Sequence, residues 1–240
     1  MNLSQLQIII PVYNEADNIS GTLTQLAEKV RTPHTILIIY DFDADNTLPA
    51  IRKHIDRHDS KNITLIKNKY GSGVLNAIKT GFESCTEGVA LVVMADTSDD
   101  ISIIDAMYEK MGQGYDLVCG SRYMKGGRQI GGPVLKKLMT WSAGVSLHLL
   151  TGIPTHDVSN SFKMYRVSLF RDIRIESAGG FEIGMEILVK AFCKGYRIAE
   201  IPATWRDRPS GKSRFYIRKW LPGYIHWYLY ALRCRYLKKN

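Results

Sequence analysis

The chain has 240 residues, of which 45% are hydrophobic and 23% are charged, and this composition is typical of a globular protein. Its formal net charge of +9 lies entirely in residues 206–240, which contain ten Lys or Arg and one Asp, whereas the other 205 residues are neutral. A charge confined to one end of the chain, among many aromatic residues, argues against a nucleic-acid binder, so we predict no nucleic-acid partner.

The first half of the chain alternates apolar runs with amphipathic stretches. We predict strands at residues 6–10, 35–40, 63–66 and 89–95, and helices at about 15–31, 46–56 and 74–83. This alternation predicts an α/β fold with a doubly wound, mostly parallel sheet flanked by helices. In such a sheet, ligands bind beyond the carboxyl ends of the strands, so we expect functional residues there.

Acidic residues follow two of these strands. Asp41 follows the second strand, and Asp96, Asp99 and Asp100 follow the fourth. A carboxylate at this position can hold a hard divalent cation, which in turn can hold diphosphate oxygens. The alternative is that these acids only cap the next helix. The Gly71-Ser72-Gly73 turn after the third strand does not complete a G-x-G-x-x-G motif, which disfavours a dinucleotide oxidoreductase.

The second half of the chain continues the pattern less regularly. We predict helices at residues 103–111, 134–150 and 181–193, strands at 116–119, 162–166 and 197–202, and a mobile glycine-rich loop at 124–133. No linker is long enough to separate two domains. We therefore predict one domain at residues 1–216, followed by a C-terminal segment at 217–240.

The C-terminal segment combines aromatic and basic residues. Between Trp220 and Leu232 it contains no Lys, Arg, Asp or Glu, and Tyr and Trp recur along it. These thirteen residues are too few to span a bilayer, but Tyr and Trp flanked by Arg and Lys suit the headgroup region of a membrane surface. We therefore predict an amphipathic helix on a membrane surface. The alternatives are a helix docked on the domain and a contact with another copy of the chain.

The cysteines and the N-terminus predict the compartment. The four cysteines are scattered without a CxxC pair, which argues against a zinc site or a disulfide framework and favours a reducing compartment. The N-terminus lacks the pattern of a signal peptide. Together with the C-terminal segment, these features predict a cytoplasmic protein that is peripheral on the cytoplasmic face of a membrane. It would bind there by its own C-terminal segment, or by pairing with a separate membrane subunit or in a homo-oligomer.

Five motifs occur in an order that points to one protein family. They are Pro11-Val12-Tyr13-Asn14-Glu15, the acidic turn at Asp41, the turn at Asp96, Gly120-Ser121-Arg122-Tyr123, and Arg206-Asp207-Arg208 with Gly211 and Ser213. From about residue 6 to about residue 218 the chain resembles the family 2 glycosyltransferases, and within them the dolichyl- or polyprenyl-phosphate mannose synthases. This resemblance implies a nucleotide-sugar-binding domain of the GT-A type. It also implies an inverting transfer of one sugar from a nucleoside-diphosphate sugar to a dolichyl or undecaprenyl phosphate lipid.

The resemblance implies roles for individual residues. The nucleotide sugar would contact Pro11, Tyr13, Asn14, Glu15, Asp41, Ala95 and Asp96. Mg²⁺ or Mn²⁺ would be the cofactor, bound by Asp96 with Asp99 as a second candidate. The catalytic residues would be Asp96, Arg122, Arg208 and Arg214. The acceptor phosphate would contact Arg122, Ser213, Arg214 and Asp157. Guanidinium groups can fork onto phosphate oxygens and offset the charge that builds as the diphosphate leaves.

The chain departs from the family pattern in several of these places. Tyr40 and Phe42 replace the first acid and the glycine of the family's DDGS turn, Met94 replaces the first acid of its DAD motif, and Gly184 replaces a Gln that helps to hold the metal. One carboxylate with several waters still suits Mg²⁺. Two alternatives remain open, namely a non-catalytic relative that binds nucleotide sugars and a transferase to a glycan hydroxyl. A hydroxyl acceptor needs a general base, for which the candidates are Asp157, Glu182 and Glu186, whereas a phosphate is already anionic and needs none.

Overall fold

The frame of the protein is a seven-stranded sheet, seen here in a computed structural model that describes residues 5–207 and 217–237. The strands are β1 (Leu6–Val12), β2 (His34–Tyr40), β3 (Ile63–Lys67), β4 (Val89–Val92), β5 (Leu117–Ser121), β6 (Arg128–Ile130), β7 (Lys163–Arg166), β8 (Ile198–Pro202) and β9 (Thr204–Arg206). The helices are α1 (Ala16–Lys29), α2 (Thr47–His58), α3 (Val74–Ser84), α4 (Ile104–Gly112), α5 (Val134–Thr151), α6 (Leu169–Asp172), α7 (Ile183–Cys193) and α8 (Ile217–Leu237).

The sheet is mostly parallel, as the sequence predicts. Its strand order is β3-β2-β1-β4-β7-β5-β8, and only β7 runs antiparallel to its neighbours β4 and β5 within this sheet. The short strands β6 and β9 pair separately. This topology brings the carboxyl ends of β1, β2, β4 and β5 to the same edge of the sheet, where α/β folds bind their ligands.

Strand β1 shows why the central strands are apolar throughout. All seven of its residues are buried. Ile8 and Ile10 pack in a core with α1 and α4, whereas Ile9 packs on the opposite face with α3. Because helices cover both faces, residues of both alternating sets need to be apolar. A Cβ on Gly81 would lie 2.4 Å from Ile9 Cγ2, so this glycine lets α3 approach the sheet closely.

Two predicted boundaries differ from the structure. β4 ends at Val92 rather than at residue 95, because the N–H of Met94 donates to Asp99 Oδ2 (2.9 Å) instead of continuing the ladder. The glycine-rich stretch that we predicted as a mobile loop contains β6. Its pairing with β9 is extended by the N–H of Arg128, which donates to the carbonyl of Ala203 at 3.0 Å.

The C-terminal segment forms a helix that packs against the domain. Within the described part, α8 lies on α7 and α5, and its Trp220, Trp227 and Ala231 are buried. This is the docked helix that the sequence analysis left as an alternative, and the membrane contact remains a prediction. Among the residues that the structure describes, no helix is both long enough and apolar enough to cross a bilayer.

The cysteines correct one expectation. We expected scattered thiols, but Cys193 at the end of α7 and Cys234 in α8 form a disulfide, with 5.9 Å between their Cα atoms. The two residues are 41 positions apart in the chain, so no local sequence motif could indicate the pair. Cys85 and Cys119 are free and buried.

Candidate active site

The turn after β1 is held by Asp45, which lies in the loop between β2 and α2. Asp45 is almost fully buried and accepts hydrogen bonds from the N–H of Asn14 (3.1 Å to each oxygen) and from the N–H of Thr47 (2.8 Å). Asn14 has a positive φ of 53°, an uncommon conformation that the Asp45 contacts hold in place. Next to it, the half-exposed ring of Tyr13 meets the edge of Phe42, with 5.4 Å between the ring centroids. The turn therefore presents an aromatic wall at the edge of the sheet.

The carboxylate of Asp41 connects the end of β2 to the glycine turn before α3. Its Oδ1 accepts from Asn68 Nδ2 at 2.7 Å, and its Oδ2 accepts from the N–H of Gly73 at 2.9 Å. Gly73 has a φ of +128°, a backbone conformation that residues other than glycine rarely adopt. Asp41 is thus fixed in orientation, and each of its oxygens retains a second lone pair for a ligand.

The turn after β4 buries two carboxylates. Oδ1 of Asp96 accepts from the N–H of Ser98 at 3.1 Å and from its hydroxyl at 2.6 Å. Thr97 between them has a positive φ of 59°. Ala95, which precedes them, is buried, and its carbonyl accepts from the hydroxyl of Thr22 at 2.9 Å. Burial raises the pKa of Asp99 to about 7, while the hydrogen bond from Met94 opposes that shift.

The acidic side chains that the structure describes at this edge of the sheet do not form a closed metal site. Among the described residues, no three His, Cys, Asp or Glu side chains gather closely enough to hold a cation by themselves. Asp96 nevertheless places a buried carboxylate at the end of a central strand. This arrangement does not fit a cage made of protein ligands, but it fits a cation that takes most of its ligands from a diphosphate and from water.

Arg122 and Asp157 form a buried ion pair just beyond the end of β5. The guanidinium donates from Nε to Asp157 Oδ2 (2.6 Å) and from Nη2 to Asp157 Oδ1 (2.9 Å), and the backbone N–H of Arg122 also donates to Oδ2 (3.1 Å). Nη2 also donates to Ser159 Oγ at 3.0 Å. Burial alone would raise the pKa of Asp157, but the charge and hydrogen bonds of Arg122 hold it below its usual value. Asp157 is therefore a fixed anion that orients the arginine.

Two glutamates at the start of α7 accept hydrogen bonds from the loop that precedes this helix. Glu182, the residue before α7, accepts from the N–H groups of Gly179 and Gly180, both at 2.8 Å. Glu186 accepts from the N–H of Ser177 (2.8 Å) and from Lys190 Nζ (2.7 Å). Both are buried and shape the loop before α7, and Glu182 also lines a second cavity of about 250 Å³ together with Trp220 and Trp227.

An apolar groove leads away from the ion pair, between α5 and α8. It is a cavity of about 150 Å³ whose polar residues include Ser159, the acceptor of the Arg122 hydrogen bond. Its walls are lined by residues of both helices, of α7 and of the segment before β7: Lys136, Met139, Thr140, Ala143, Val158, Ser159, Met185, Leu221, Tyr224, Ile225 and Tyr228. The groove is therefore mostly apolar and is linked to the ion pair through Ser159.

The structure brings together most of the predicted site residues. Nine of them lie at or just after the carboxyl ends of strands, at the same edge of the sheet: Pro11, Tyr13, Asn14, Glu15, Asp41, Ala95, Asp96, Asp99 and Arg122. Asp157 joins them through Arg122. Arg208, Ser213 and Arg214 lie outside the described residues. Arg206 lies beside this edge, because its N–H donates to the carbonyl of Ser98 at 3.1 Å.

Sequence reasoning assigned no site role to Asp45, to Asn68 or to the groove residues of α5. Asp45 stands two residues before Thr47, the first residue of α2, and an acid just before a helix is a signal that could have found it. Asn68 touches Asp41 from 27 residues away, so nothing local indicates it. For α5 the sequence predicts only a helix. Its residues become a groove wall through the position of α8, which the sequence does not indicate.

Comparisons with known proteins identify relatives and a shared fold. Residues 7–174 match the model for glycosyl transferase family 2. A dolichol-phosphate mannosyltransferase of Pyrococcus furiosus is 27% identical over 215 residues, which cover 88% of this chain and 59% of that protein. An undecaprenyl-phosphate mannosyltransferase of Micrococcus luteus is 27% identical over 212 residues, which cover 86% of this chain and 85% of that protein. This chain thus spans less than two thirds of the Pyrococcus relative.

Among solved structures, glucosyl-3-phosphoglycerate synthase from Mycobacterium tuberculosis aligns with a TM-score of 0.68 and 13% identity, over 96% of this chain and 79% of that one. That structure contains Mn²⁺, uridine diphosphate and glucosyl-3-phosphoglycerate. At this identity the likeness establishes the fold alone, which is the GT-A fold.

Proposed function

This chain belongs to glycosyl transferase family 2, and we propose that it moves one sugar, with inversion, from a nucleoside-diphosphate sugar to a polyprenyl phosphate at a membrane surface. Family membership and the mannosyltransferase relatives make it a glycosyltransferase. The donor, the acceptor and the membrane are the proposed parts. These three parts of the proposal are supported by the geometry of the site and by the acceptors that the names of the relatives state.

The donor would bind at the ends of β1, β2 and β4. The exposed ring of Tyr13 offers a face for the base, and Asp41 offers oriented acceptors for N–H or hydroxyl groups of the nucleoside. Asn14 and Glu15 complete this turn, with Pro11 and Ala95 as its buried floor. The turn needs no large rearrangement to receive a nucleotide, because Asp45 already fixes it.

The proposed acceptor is supported by one observation, the apolar groove that reaches Ser159, a hydrogen-bond partner of Arg122. A polyprenyl phosphate has one anionic head and a long apolar chain. The groove offers mostly apolar walls, and its Ser159 accepts a hydrogen bond from the Arg122 guanidinium just behind it. Lys136 and Thr140 also line it and place a further cation and a hydroxyl near the polar end. A glycan acceptor would instead need polar walls for its hydroxyl groups.

The engaged carboxylates favour a phosphate acceptor over a hydroxyl. Asp157 is held as an anion by Arg122, which makes it a weak proton acceptor, and Glu182 and Glu186 are occupied by backbone N–H groups. A phosphate oxygen is anionic already. It can attack the anomeric carbon while the bond from that carbon to the diphosphate breaks on the opposite face, which inverts the configuration.

Cationic side chains would stabilise this transfer. Arg122, oriented by Asp157, would hold the acceptor phosphate, with Ser213 and Arg214 as further proposed contacts. Arg208, with Arg214, would offset the charge that develops on the leaving diphosphate. Arg208, Ser213 and Arg214 lie outside the described part of the chain, and their proposed roles rest on the resemblance to the family.

Mg²⁺ or Mn²⁺ would be held by Asp96 together with the diphosphate and water. When bound, the cation would offset the negative charge of the diphosphate. Asp99 remains the second candidate, and its Oδ2 also accepts the N–H of Met94. The structural neighbour with Mn²⁺ and uridine diphosphate supports a divalent cation in this fold.

A membrane surface is supported by the outer faces of α5 and α8. Large apolar side chains are exposed on both helices, including Leu138, Trp141 and Leu149 on α5 and Ile225 and Leu229 on α8. The net charge of +9 in residues 206–240 would attract anionic headgroups. We propose that the protein is peripheral on the cytoplasmic face of a membrane, bound by these helices alone or with a membrane subunit or a second copy.

The test is a panel of nucleotide sugars with Mg²⁺ or Mn²⁺, with and without a short polyprenyl phosphate. We expect one donor to release its nucleoside diphosphate only when the lipid phosphate is present. Asp96→Asn should lower kcat about 100-fold or more, as expected for loss of an electrostatic group at the leaving diphosphate. Asp59→Asn, which changes an exposed carboxylate at the end of α2, is the matched control.

Two other results would identify the alternatives. Clear nucleotide binding without turnover of any donor would mean a non-catalytic relative, and Tyr40, Met94 and Gly184 would then mark the lost activity. Turnover that depends on a glycan and not on the lipid would mean a hydroxyl acceptor.

A further inference from the structure

A covalent bond joins two of the helices that wall the groove. Cys193 is the last residue of α7, which contributes Met185 to the groove. Cys234 lies in α8, which contributes Leu221, Tyr224, Ile225 and Tyr228. The bond closes a loop of the chain between positions 41 residues apart, so it restricts how far α8 can move from α7.

The four cysteines divide into two classes. Cys85 and Cys119 are buried, and burial raises the pKa of each thiol to about 12, so both stay protonated and unreactive at neutral pH. Cys193 and Cys234 are half-buried, so a small reductant can reach them. Only this pair is therefore both bonded and accessible to thiol–disulfide exchange.

We propose that the Cys193–Cys234 bond is a reversible redox tether that holds α8 in place as a groove wall. A dithiol reductant attacks one sulfur of the pair, and the mixed disulfide is then resolved by the second thiol of the reductant. The pair gains two electrons and two protons and becomes two thiols, while the reductant becomes a disulfide. The oxidised state keeps the groove formed, and the reduced state leaves α8 held by non-covalent packing alone.

The effect on function should be confined to the acceptor. The described candidate residues for the nucleotide sugar lie at the ends of β1, β2 and β4, whereas α7 and α8 contribute to the groove. A preformed groove binds a flexible chain better than one that must be ordered on binding. Reduction should therefore raise KM for polyprenyl phosphate about three- to tenfold and leave KM for the nucleotide sugar unchanged. This functional step rests on the proposed acceptor.

The tether itself can be tested without any turnover. The purified full chain is equilibrated with excess oxidised or excess reduced glutathione, trapped with an alkylating agent under denaturing conditions and weighed. We expect two alkylated cysteines in the oxidising buffer and four in the reducing buffer. Amide hydrogen exchange in α8 should become about tenfold faster in the reduced protein and in Cys193→Ser/Cys234→Ser. Four alkylated cysteines in the oxidising buffer, or equal exchange rates in both states, would overturn the tether.

The kinetic test separates this inference from the proposed function. Wild type, Cys193→Ser/Cys234→Ser and Cys85→Ala are assayed with and without reductant. The double variant should behave like reduced wild type in both conditions, and Cys85→Ala should keep the full response because it leaves the pair intact. An acceptor KM that does not respond to reductant would refute the coupling to the groove. If no donor turns over in any state, the proposed function fails, and the mass and exchange measurements still decide the tether.

Discussion

Asp45 shows, at the scale of a single residue, how a carboxylate can serve a binding site without touching the ligand. It accepts hydrogen bonds from Asn14 and Thr47 and so holds the turn that carries Tyr13. We predict that Asp45→Asn weakens nucleotide binding and lowers the free energy of unfolding by about 1–3 kcal/mol, because the amide has one acceptor oxygen where the carboxylate has two. Calorimetric titration with nucleoside diphosphates and thermal unfolding measure the two effects.

Asp43→Asn is the matched control for this residue. Asp43 stands two positions away, is exposed, and pairs only with Lys67 at 2.6 Å among the described residues. Its substitution should change stability by less than about 0.5 kcal/mol and leave nucleotide affinity unchanged. If Asp45→Asn binds nucleotide as tightly as Asp43→Asn does, then the turn is not what positions the nucleoside.

Individual residues also show how far sequence reasoning reached. The strand-end positions of Asp41, Asp96 and Arg122 were predictable, because an α/β pattern fixes which residues follow the carboxyl ends of strands. Their partners were not, because Asn68 and Asp157 come from distant parts of the chain and are brought in by tertiary packing. The assignment of catalytic roles to these residues therefore still rests on resemblance, and the substitutions above are what test it.

At the scale of elements, the function proposed here depends on how α5 and α8 face each other. We predict that Ala143→Trp, which adds a large ring to a residue lining the groove, raises KM for polyprenyl phosphate at least about tenfold. Because the donor site lies at the ends of the strands, the affinity for the nucleotide should stay the same. Steady-state kinetics in detergent with a short polyprenyl phosphate separate the two constants.

The neighbouring residue Ser142 supplies the comparison. It is exposed on α5 and does not line the groove, so Ser142→Trp adds the same ring without filling the cavity. An equal rise of the acceptor KM in both variants would show that the ring perturbs α5 in general and that the groove does not hold the lipid chain.

Elements were predicted well where their pattern is local. The alternation of the first half placed its strands and helices close to their observed positions, since buried parallel strands are apolar and the helices between them are amphipathic. The antiparallel direction of β7 and the pairing of β6 with β9 were not predicted. Both depend on contacts between residues far apart in the chain, such as Arg128 with Thr204.

For the whole molecule, the distribution of apolar and charged surface suggests how it meets its substrate. The helices α5 and α8, which form the walls of the groove, also expose leucine, isoleucine and tryptophan side chains to the outside. A lipid phosphate could enter from a bilayer on which these helices rest, with its head toward Arg122. The sequence indicated only the C-terminal part of this surface, because the contribution of α5 is seen only once the fold brings the two helices together.

Binding to vesicles tests this arrangement. We predict that Leu138→Glu/Leu149→Glu lowers affinity for vesicles containing anionic lipid by about tenfold or more, since burying one leucine contributes about 1.5–3 kcal/mol. The remaining binding should weaken further as salt is raised, because the basic residues at 206–240 then carry the attraction. Thr64→Glu/Ala27→Glu adds the same two charges at exposed positions on the edge strand β3 and on α1, and it should bind like wild type. Flotation of the leucine variant with wild-type affinity would mean that α5 faces solvent and that a partner protein brings the enzyme to its lipid.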